Sequence, residues 1–281
     1  MPVSQIRAFH RPDRIMQVWH LLQEGPQVRL VGGGTDLTIH CPAEVRVLVD
    51  LSHLGIEGID VESDGTIRIG AMATLTGMLE HPELRRMASG VIPEMLVQVG
   101  SPLLRNAATI GGHLARGYLS DVVPVLLALD AEIEVFDGQT RRLPLDSYYH
   151  DSVHDTLHVV TAVFLPPPAE EVAAFLRFSR SGFDHALANT ACRVRAVDGI
   201  VDEARLAVGA GPGVARVLAE AAGRLVGSTL DDEAIADAAR LAGDLPTHSS
   251  WTASAEYRSH LAVTLVDRCL RVARDRLGGG A

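Results

Sequence analysis

Aromatic side chains are scarce in this sequence. Six phenylalanines, four tyrosines and two tryptophans make up 4% of 281 residues. Apolar residues still reach 47%, mostly Ala, Val and Leu, so a sizeable core is available without large rings. Cysteine is rarer still. Cys41, Cys192 and Cys269 lie far apart with no C-x-x-C, which leaves neither a zinc site nor an iron–sulfur cluster written locally. They are expected as buried free thiols. Positive charge is in deficit: 25 Lys and Arg face 35 Asp and Glu, a net charge of −10, and no basic stripe is visible. That excludes a nucleic-acid partner. No stretch approaches the ~18 continuous apolar residues of a membrane span. The start, Met1 to Arg7, has no apolar signal-peptide core, and a cytoplasmic protein is expected. Also absent are a G-x-G-x-x-G run, a Walker lysine, a Ser-His-Asp pattern and H-E-x-x-H. No residue is expected to be catalytic in the strict sense, and no metal site is expected.

Two glycine-rich runs are present. The first is Val31-Gly32-Gly33-Gly34-Thr35-Asp36-Leu37. The second is Asn106-Ala107-Ala108-Thr109-Ile110-Gly111-Gly112-His113. Adjacent glycines let a backbone take φ > 0 and approach a ligand closely. Thr109 adds a hydroxyl, and peptide N–H groups beside it are suited to an anion. Either run alone serves a tight turn as well as a ligand, and Asp36 alone suits a turn-stabilising carboxylate. Together they are expected to meet on one phosphate-bearing cofactor.

Along the chain, a helix is predicted from Ile15 to Leu22 and stops at Gly25-Pro26. Strands are predicted at 27–31 and 45–50. A hairpin over 56–69 turns at Ser63-Asp64-Gly65, and Thr74 caps a helix. The second glycine run reads as a loop between helices at 92–99 and 121–129. Strands follow at 131–136, 140–143 and 158–165. Pro166-Pro167-Pro168 is the clearest break and the expected domain boundary. Beyond it, 173–179 and 186–197 read as extended, with a hairpin turn at Asp198-Gly199. Helical spacing recurs at 216–225, 234–241 and 255–277, and the 278–281 tail is expected to fray. His150, His154 and His158 fall in a loop and strand entry rather than on one helix face. Trp251 and Tyr257 are read as core packing in preference to a subunit or domain contact, and Glu256 with Arg258 as a cap or salt bridge.

The two runs belong to a wider resemblance. Leu30 to Leu37 is similar to the first flavin loop of the FAD-binding subunits of molybdenum hydroxylases, the xanthine dehydrogenase and carbon monoxide dehydrogenase type. Ile69-Gly70-Ala71-Met72-Ala73-Thr74 resembles that family's I-G-A-x-x-T. Arg105 to Gly112 resembles its R-N-x-x-T-I-G-G. Asp121-Val122-Val123-Pro124 looks like its Asp-x-x-Pro helix, and Ser254-Ala255-Glu256-Tyr257-Arg258 like the start of its last helix. The resemblance covers nearly the whole chain.

It implies an α+β architecture. A PCMH-type FAD-binding domain spans 1–168, in subdomains of about 1–53 and 54–168. A C-terminal α+β domain at 172–281 has a three-stranded antiparallel sheet packed on helices. It implies non-covalent FAD, because Gly34 and Thr35 stand where covalent relatives carry a histidine. The implied cofactor residues are Val31, Gly32, Gly33, Gly34, Thr35, Asp36 and Leu37; Thr109, Ile110, Gly111, Gly112 and His113; and Asp121, Val160 and Arg177. Arg177 stands where relatives often carry lysine. The run from His113 to Asp121 lacks the family's Ser-Pro and is one residue shorter. Implied partners are a small [2Fe-2S] subunit and a large molybdopterin subunit, as a dimer of heterotrimers. The implied role is electron transfer to an external acceptor. Two other readings stay open: a freestanding FAD oxidase or reductase, and a flavin-free assembly subunit. Gly111→Val is expected to abolish FAD binding by blocking phosphate without unfolding the chain.

Overall fold

Residues 5–209 and 213–278 are described by a computed structural model of the chain. Two compact units result. The first takes the chain up to Met78, then Ser101–Arg116 and Glu132–Leu165. The second takes Leu79–Gly100, Gly117–Ala131 and the chain from Pro166 onward.

The first unit opens with three short parallel strands, β1 (Ala8–His10), β2 (Val28–Val31) and β3 (Val47–Asp50), in the order β1-β3-β2. Strand β1 is an addition to the sequence reading. It has three residues, and Phe9 is exposed, so no alternation announces it. The predicted helix Ile15–Leu22 connects β1 to β2 and buries Val18 and Leu22. Those two side chains join Val28, Val49, Leu51, Phe136 and Val159 in one apolar cluster. A five-stranded antiparallel sheet completes the unit: β4 (Ile59–Val61), β5 (Ile67–Gly70), β6 (Glu132–Phe136), β7 (Thr140–Pro144) and β8 (Val159–Leu165), in the order β4-β5-β8-β6-β7. All seven residues of β8 are buried, as suits its central place and its unbroken apolar run. The predicted turn at Gly65 has φ +89°, and Asp64 accepts from the Thr66 N–H at 2.9 Å. Thr74 caps its helix as expected, accepting from the Gly77 N–H at 3.0 Å.

The second unit is built on an antiparallel sheet of β9 (Val172–Phe178), β10 (Ala188–Val197), β11 (Ile200–Gly209) and β12 (Arg216–Val217), in the order β12-β11-β10-β9. These are the three expected strands with a two-residue strand added at one edge. Asp198 and Gly199 have φ +52° and +78°, as a two-residue hairpin of the primed type requires. The long helix Ala255–Gly278 buries Leu261, Ala262, Leu265, Val266, Cys269, Leu270 and Ala273. The helix expected at 216–225 is corrected: Arg216 and Val217 pair with Val208 and Ala207, and only Ala219–Gly223 is helical. Sheet pairing outweighs local spacing there. Residues 279–281 of the expected frayed tail lie outside the described residues.

Two other expectations are corrected here. Trp251 is 86% exposed, with the Arg180 guanidinium 4.8 Å from its ring centre, and Tyr257 is 42% exposed. Arg258 makes neither a cap nor a salt bridge with Glu256. It is buried and donates to the Leu187 carbonyl at 2.7 Å and to the Ser250 and Thr252 hydroxyls at 2.8 Å. No helix among the described residues is long and apolar enough to cross a membrane.

Candidate cofactor site

The first glycine run leaves the C-terminal end of β2, the end of a parallel strand where ligands collect in open sheets. Gly34 has φ +67°, a conformation that a side chain would strain. The turn closes when Thr38 bonds the Gly34 carbonyl through its N–H at 3.0 Å and its hydroxyl at 2.6 Å. Among the described residues, the N–H groups of Gly33, Gly34, Thr35 and Asp36 donate to no protein acceptor. Successive open peptide N–H groups at a turn form a concavity suited to an anion.

The second run is not a loop, which corrects the sequence reading. Pro102–Ala107 is helical, Ala108 and Thr109 break the chain direction, and Ile110–Arg116 is helical again. Thr109 sits in an isolated bridge opposite Thr74. Ile110 donates to the Ala73 carbonyl at 3.0 Å, and Gly111 to the Ala71 carbonyl at 2.8 Å. Gly112 is the exposed member, and its N–H meets the Thr109 hydroxyl at 3.2 Å. The N–H groups beside Thr109 are therefore largely committed to the A-M-A segment that follows β5.

The two runs pack against each other, and glycine makes this possible. A Cβ on Gly33 would fall 1.6 Å from the Ala107 carbonyl oxygen. One on Gly32 would fall 2.6 Å from the Thr109 hydroxyl, and one on Gly111 2.7 Å from the Ala71 carbonyl oxygen. The second run serves as the wall on which the first is shaped. Val31, Thr35 and Leu37 are half-buried around this turn, and His113 is half-buried on the second helix. Asp36 Oδ1 lies 2.9 Å from His40 Nδ1 and 3.1 Å from Arg116 Nη1. Val160 lies in β8 opposite Val135, beside the bulge at Glu134. The β5 ladder ends at Gly70 opposite Ala162, two residues short of it.

Asp121 and Arg177 belong to the second unit, where they form a buried pair at 3.0 Å. Arg177 Nη1 also donates to the Gln98 carbonyl at 2.7 Å, and Nη2 donates to the Asp184 carbonyl. Asn189 donates to Asp121 at 2.7 Å and to the Ser120 carbonyl at 3.1 Å. Burial pushes the Asp121 carboxyl above its ordinary range, against the opposing pull of Arg177 and Asn189. Asn189 escaped the sequence reading because it lies in a strand 68 residues from Asp121. Arg116 was missed for a like reason, its partner Asp36 being distant in sequence, and the motif at 69–74 did not announce that Ala71 and Ala73 accept from Gly111 and Ile110.

The remaining polar groups have structural uses. His154 Nε2 meets the Ala115 carbonyl at 2.8 Å, and His158 Nε2 meets the Tyr148 hydroxyl at 2.9 Å. Among the described residues no group of three His, Cys, Asp or Glu side chains is placed to hold a metal. Cys192 and Cys269 are buried free thiols as expected, whereas Cys41 is half-buried.

A turn of open peptide donors after a parallel strand, walled by a second glycine motif, defines a protein that binds a phosphate-bearing cofactor. Comparison with known proteins makes this particular. Residues 4–168 match the family model "FAD binding domain in molybdopterin dehydrogenase". Residues 173–273 match "CO dehydrogenase flavoprotein C-terminal domain". The xanthine dehydrogenase FAD-binding subunit of Escherichia coli O157:H7 is 30% identical, covering 97% of each chain. The carbon monoxide dehydrogenase medium chain of Afipia carboxidovorans is 28% identical, covering 95% of this chain and 96% of that one. A chain of reconstituted CO dehydrogenase from Oligotropha carboxidovorans superposes with a TM-score of 0.87 at 26% identity, covering 96% of this chain and 98% of that one. The chain belongs to the FAD-binding subunits of the xanthine dehydrogenase and CO dehydrogenase family of molybdenum hydroxylases, and its cofactor is FAD.

Proposed function

We propose that this chain is the electron-transfer subunit of a molybdenum hydroxylase. Its place is between [2Fe-2S] clusters on a small partner subunit and an external acceptor, with a large molybdopterin subunit carrying the substrate site. A cytoplasmic dimer of heterotrimers is the assembly that goes with this reading. The domain division is 1–168 for FAD binding and 172–281 for the C-terminal α+β domain. Bound FAD supplies the chemistry of accepting electrons singly and releasing them singly or as a pair. The chain's own residues bind and orient it, and none needs to move a proton.

The observation that carries the reading is the row of N–H groups from Gly33 to Asp36 that have no protein acceptor among the described residues, at a turn shaped by Ala107 and Thr109. Those donors fit a diphosphate. Val31, Gly32 and Leu37 frame them, Thr109 to His113 form the adjoining wall, and the backbone of Val160 stands as a further flavin contact. Asp121 and Arg177, in the second unit, are kept as proposed cofactor residues on the family resemblance. Gly34 and Thr35 stand where covalent relatives carry a histidine, so in this reading FAD is held non-covalently.

The test is a visible spectrum of the purified chain, followed by acid precipitation. Flavin absorption near ~450 nm that leaves in the supernatant as FAD is the expected result. A colourless chain that takes up no added FAD, alone or with its partner subunits, overturns the reading. Colour kept in the pellet points to a covalent flavoprotein and a freestanding oxidase.

A further inference from the structure

Asp36 sits awkwardly for a diphosphate site. Its carboxylate belongs to the last residue of the open N–H run, where it would repel a bound anion. It does not cap the Leu37–His40 helix, since its side chain accepts no hydrogen bond there. The carboxylate turns instead to Arg116 Nη1 at 3.1 Å and His40 Nδ1 at 2.9 Å. Arg116 ends the Ile110–Arg116 helix, the same helix whose first turn carries Gly111 and Gly112. That helix end is itself held. Tyr149 donates to the Leu114 carbonyl at 2.9 Å, and His154 bonds the Ala115 carbonyl at 2.8 Å. Tyr148, wholly buried, packs edge-on against both rings. The Arg116 side chain is 20% exposed against 40% for Asp36, so the pair is partly shielded from solvent.

We propose that Arg116 is a positioning residue that neutralises Asp36, so that the first glycine run accepts the diphosphate of FAD. The proposal rests on the FAD reading above. It makes a distinctive prediction about partners. In a merely structural ion pair, losing either side does similar harm. Here, Arg116→Ala leaves a bare carboxylate beside the anion, whereas Asp36→Asn removes the repulsion and keeps an oxygen that Arg116 can bond.

The experiment is FAD titration of the full chain, followed by flavin fluorescence, in wild type, Arg116→Ala, Arg116→Lys, Asp36→Asn and the double variant Asp36→Asn/Arg116→Ala. Arg116→Ala is expected to weaken binding about tenfold, the order of magnitude for removing one charge from a shielded pair. Arg116→Lys and Asp36→Asn stay within about threefold of wild type, and the double variant returns to that range. Near 1 M salt, where screening acts within about 3 Å, the Arg116→Ala defect shrinks. The proposal is overturned if the double variant binds as weakly as Arg116→Ala, or if Asp36→Asn alone is equally damaging. A parallel measurement separates this outcome from failure of the FAD reading: amide exchange at residues 32–37 with inorganic pyrophosphate as the probe. Should wild type take no FAD, pyrophosphate protection that follows the same order across the variants still supports the charge compensation. Absence of protection in every variant overturns it.

Discussion

The polar residues singled out in the two units differ in how their hydrogen bonds are used. In the first unit, four consecutive N–H groups from Gly33 to Asp36 stand open at a turn. In the second unit, Asp121, Arg177 and Asn189 bond one another and the Ser120, Gln98 and Asp184 carbonyls. Buried polar groups in native structures are nearly always matched. The half-buried row in the first unit has no protein acceptor and is free for the proposed diphosphate, whereas the cluster in the second unit is held by its own protein partners. Gly33 to Asp36, Asp121 and Arg177 came from one family resemblance and Asn189 did not, and the geometry shows how differently their hydrogen bonds are committed.

The strongest way to test this contrast is in the second unit. Arg177→Met should leave Asp121 buried without its cation and cost about 3 kcal/mol or more in urea unfolding. The sign with pH is fixed. Asp121 already has a raised pKa in the fold, and loss of Arg177 raises it further. Stability from such a group is fully present below its ordinary value and is lost as pH rises through the folded value. The deficit should therefore be larger at pH 7 than near pH 5. A pH-independent deficit would show that Asp121 is not the group left stranded.

Gly33→Ala comes next. Its Cβ would meet the Ala107 carbonyl at 1.6 Å, so the two glycine motifs must part. Overpacking of this kind costs about 1–3 kcal/mol, and FAD affinity should fall at least thirtyfold. Alanine at 33 with unchanged FAD affinity would break the assignment of open donors to the cofactor.

The smallest effect expected is a pH slope in the first unit. Burial holds His158 below its ordinary value, partly offset by its bond to the Thr156 carbonyl. A depressed pKa contributes stability above about 6.5 that is lost as pH falls through the folded value. This is opposite in sign to Asp121. Protection of β8 amides, corrected for intrinsic exchange rates, should decline from pH 7 to pH 5 and flatten in His158→Gln. An equal slope in that variant would assign the titration elsewhere.

Much of the fold was legible because its elements are local and strongly patterned. The β8 run, the Asp198-Gly199 hairpin, the Thr74 cap and the final amphipathic helix each carry their signal within a few residues. The three residues of β1 do not, and neither does β12, which exists only through its pairing with β11. The second glycine run misled for a physical reason. Glycine marks places where the backbone approaches something closely, and at Gly111 that something is Ala71. Valine at 111, expected from sequence to obstruct phosphate, would instead strike the Ala71 carbonyl and disturb the wall from inside. Asp36 was legible as a turn residue, but its ion pair with Arg116 was not, since Arg116 is 80 residues away.

The placement of the three cysteines has a practical consequence. Cys192 and Cys269 face each other in the dry core with sulfurs 3.5 Å apart, and burial pushes the Cys269 thiol well above its usual range. Thiol reagents act on accessible thiolate, so Cys41 is the position that a maleimide dye should modify in the native chain. It lies five residues after Asp36, directly behind the short helix that closes the glycine turn. The wild-type sequence thus carries an attachment point for an optical reporter next to the turn, and cofactor loading can be followed there without engineering a cysteine.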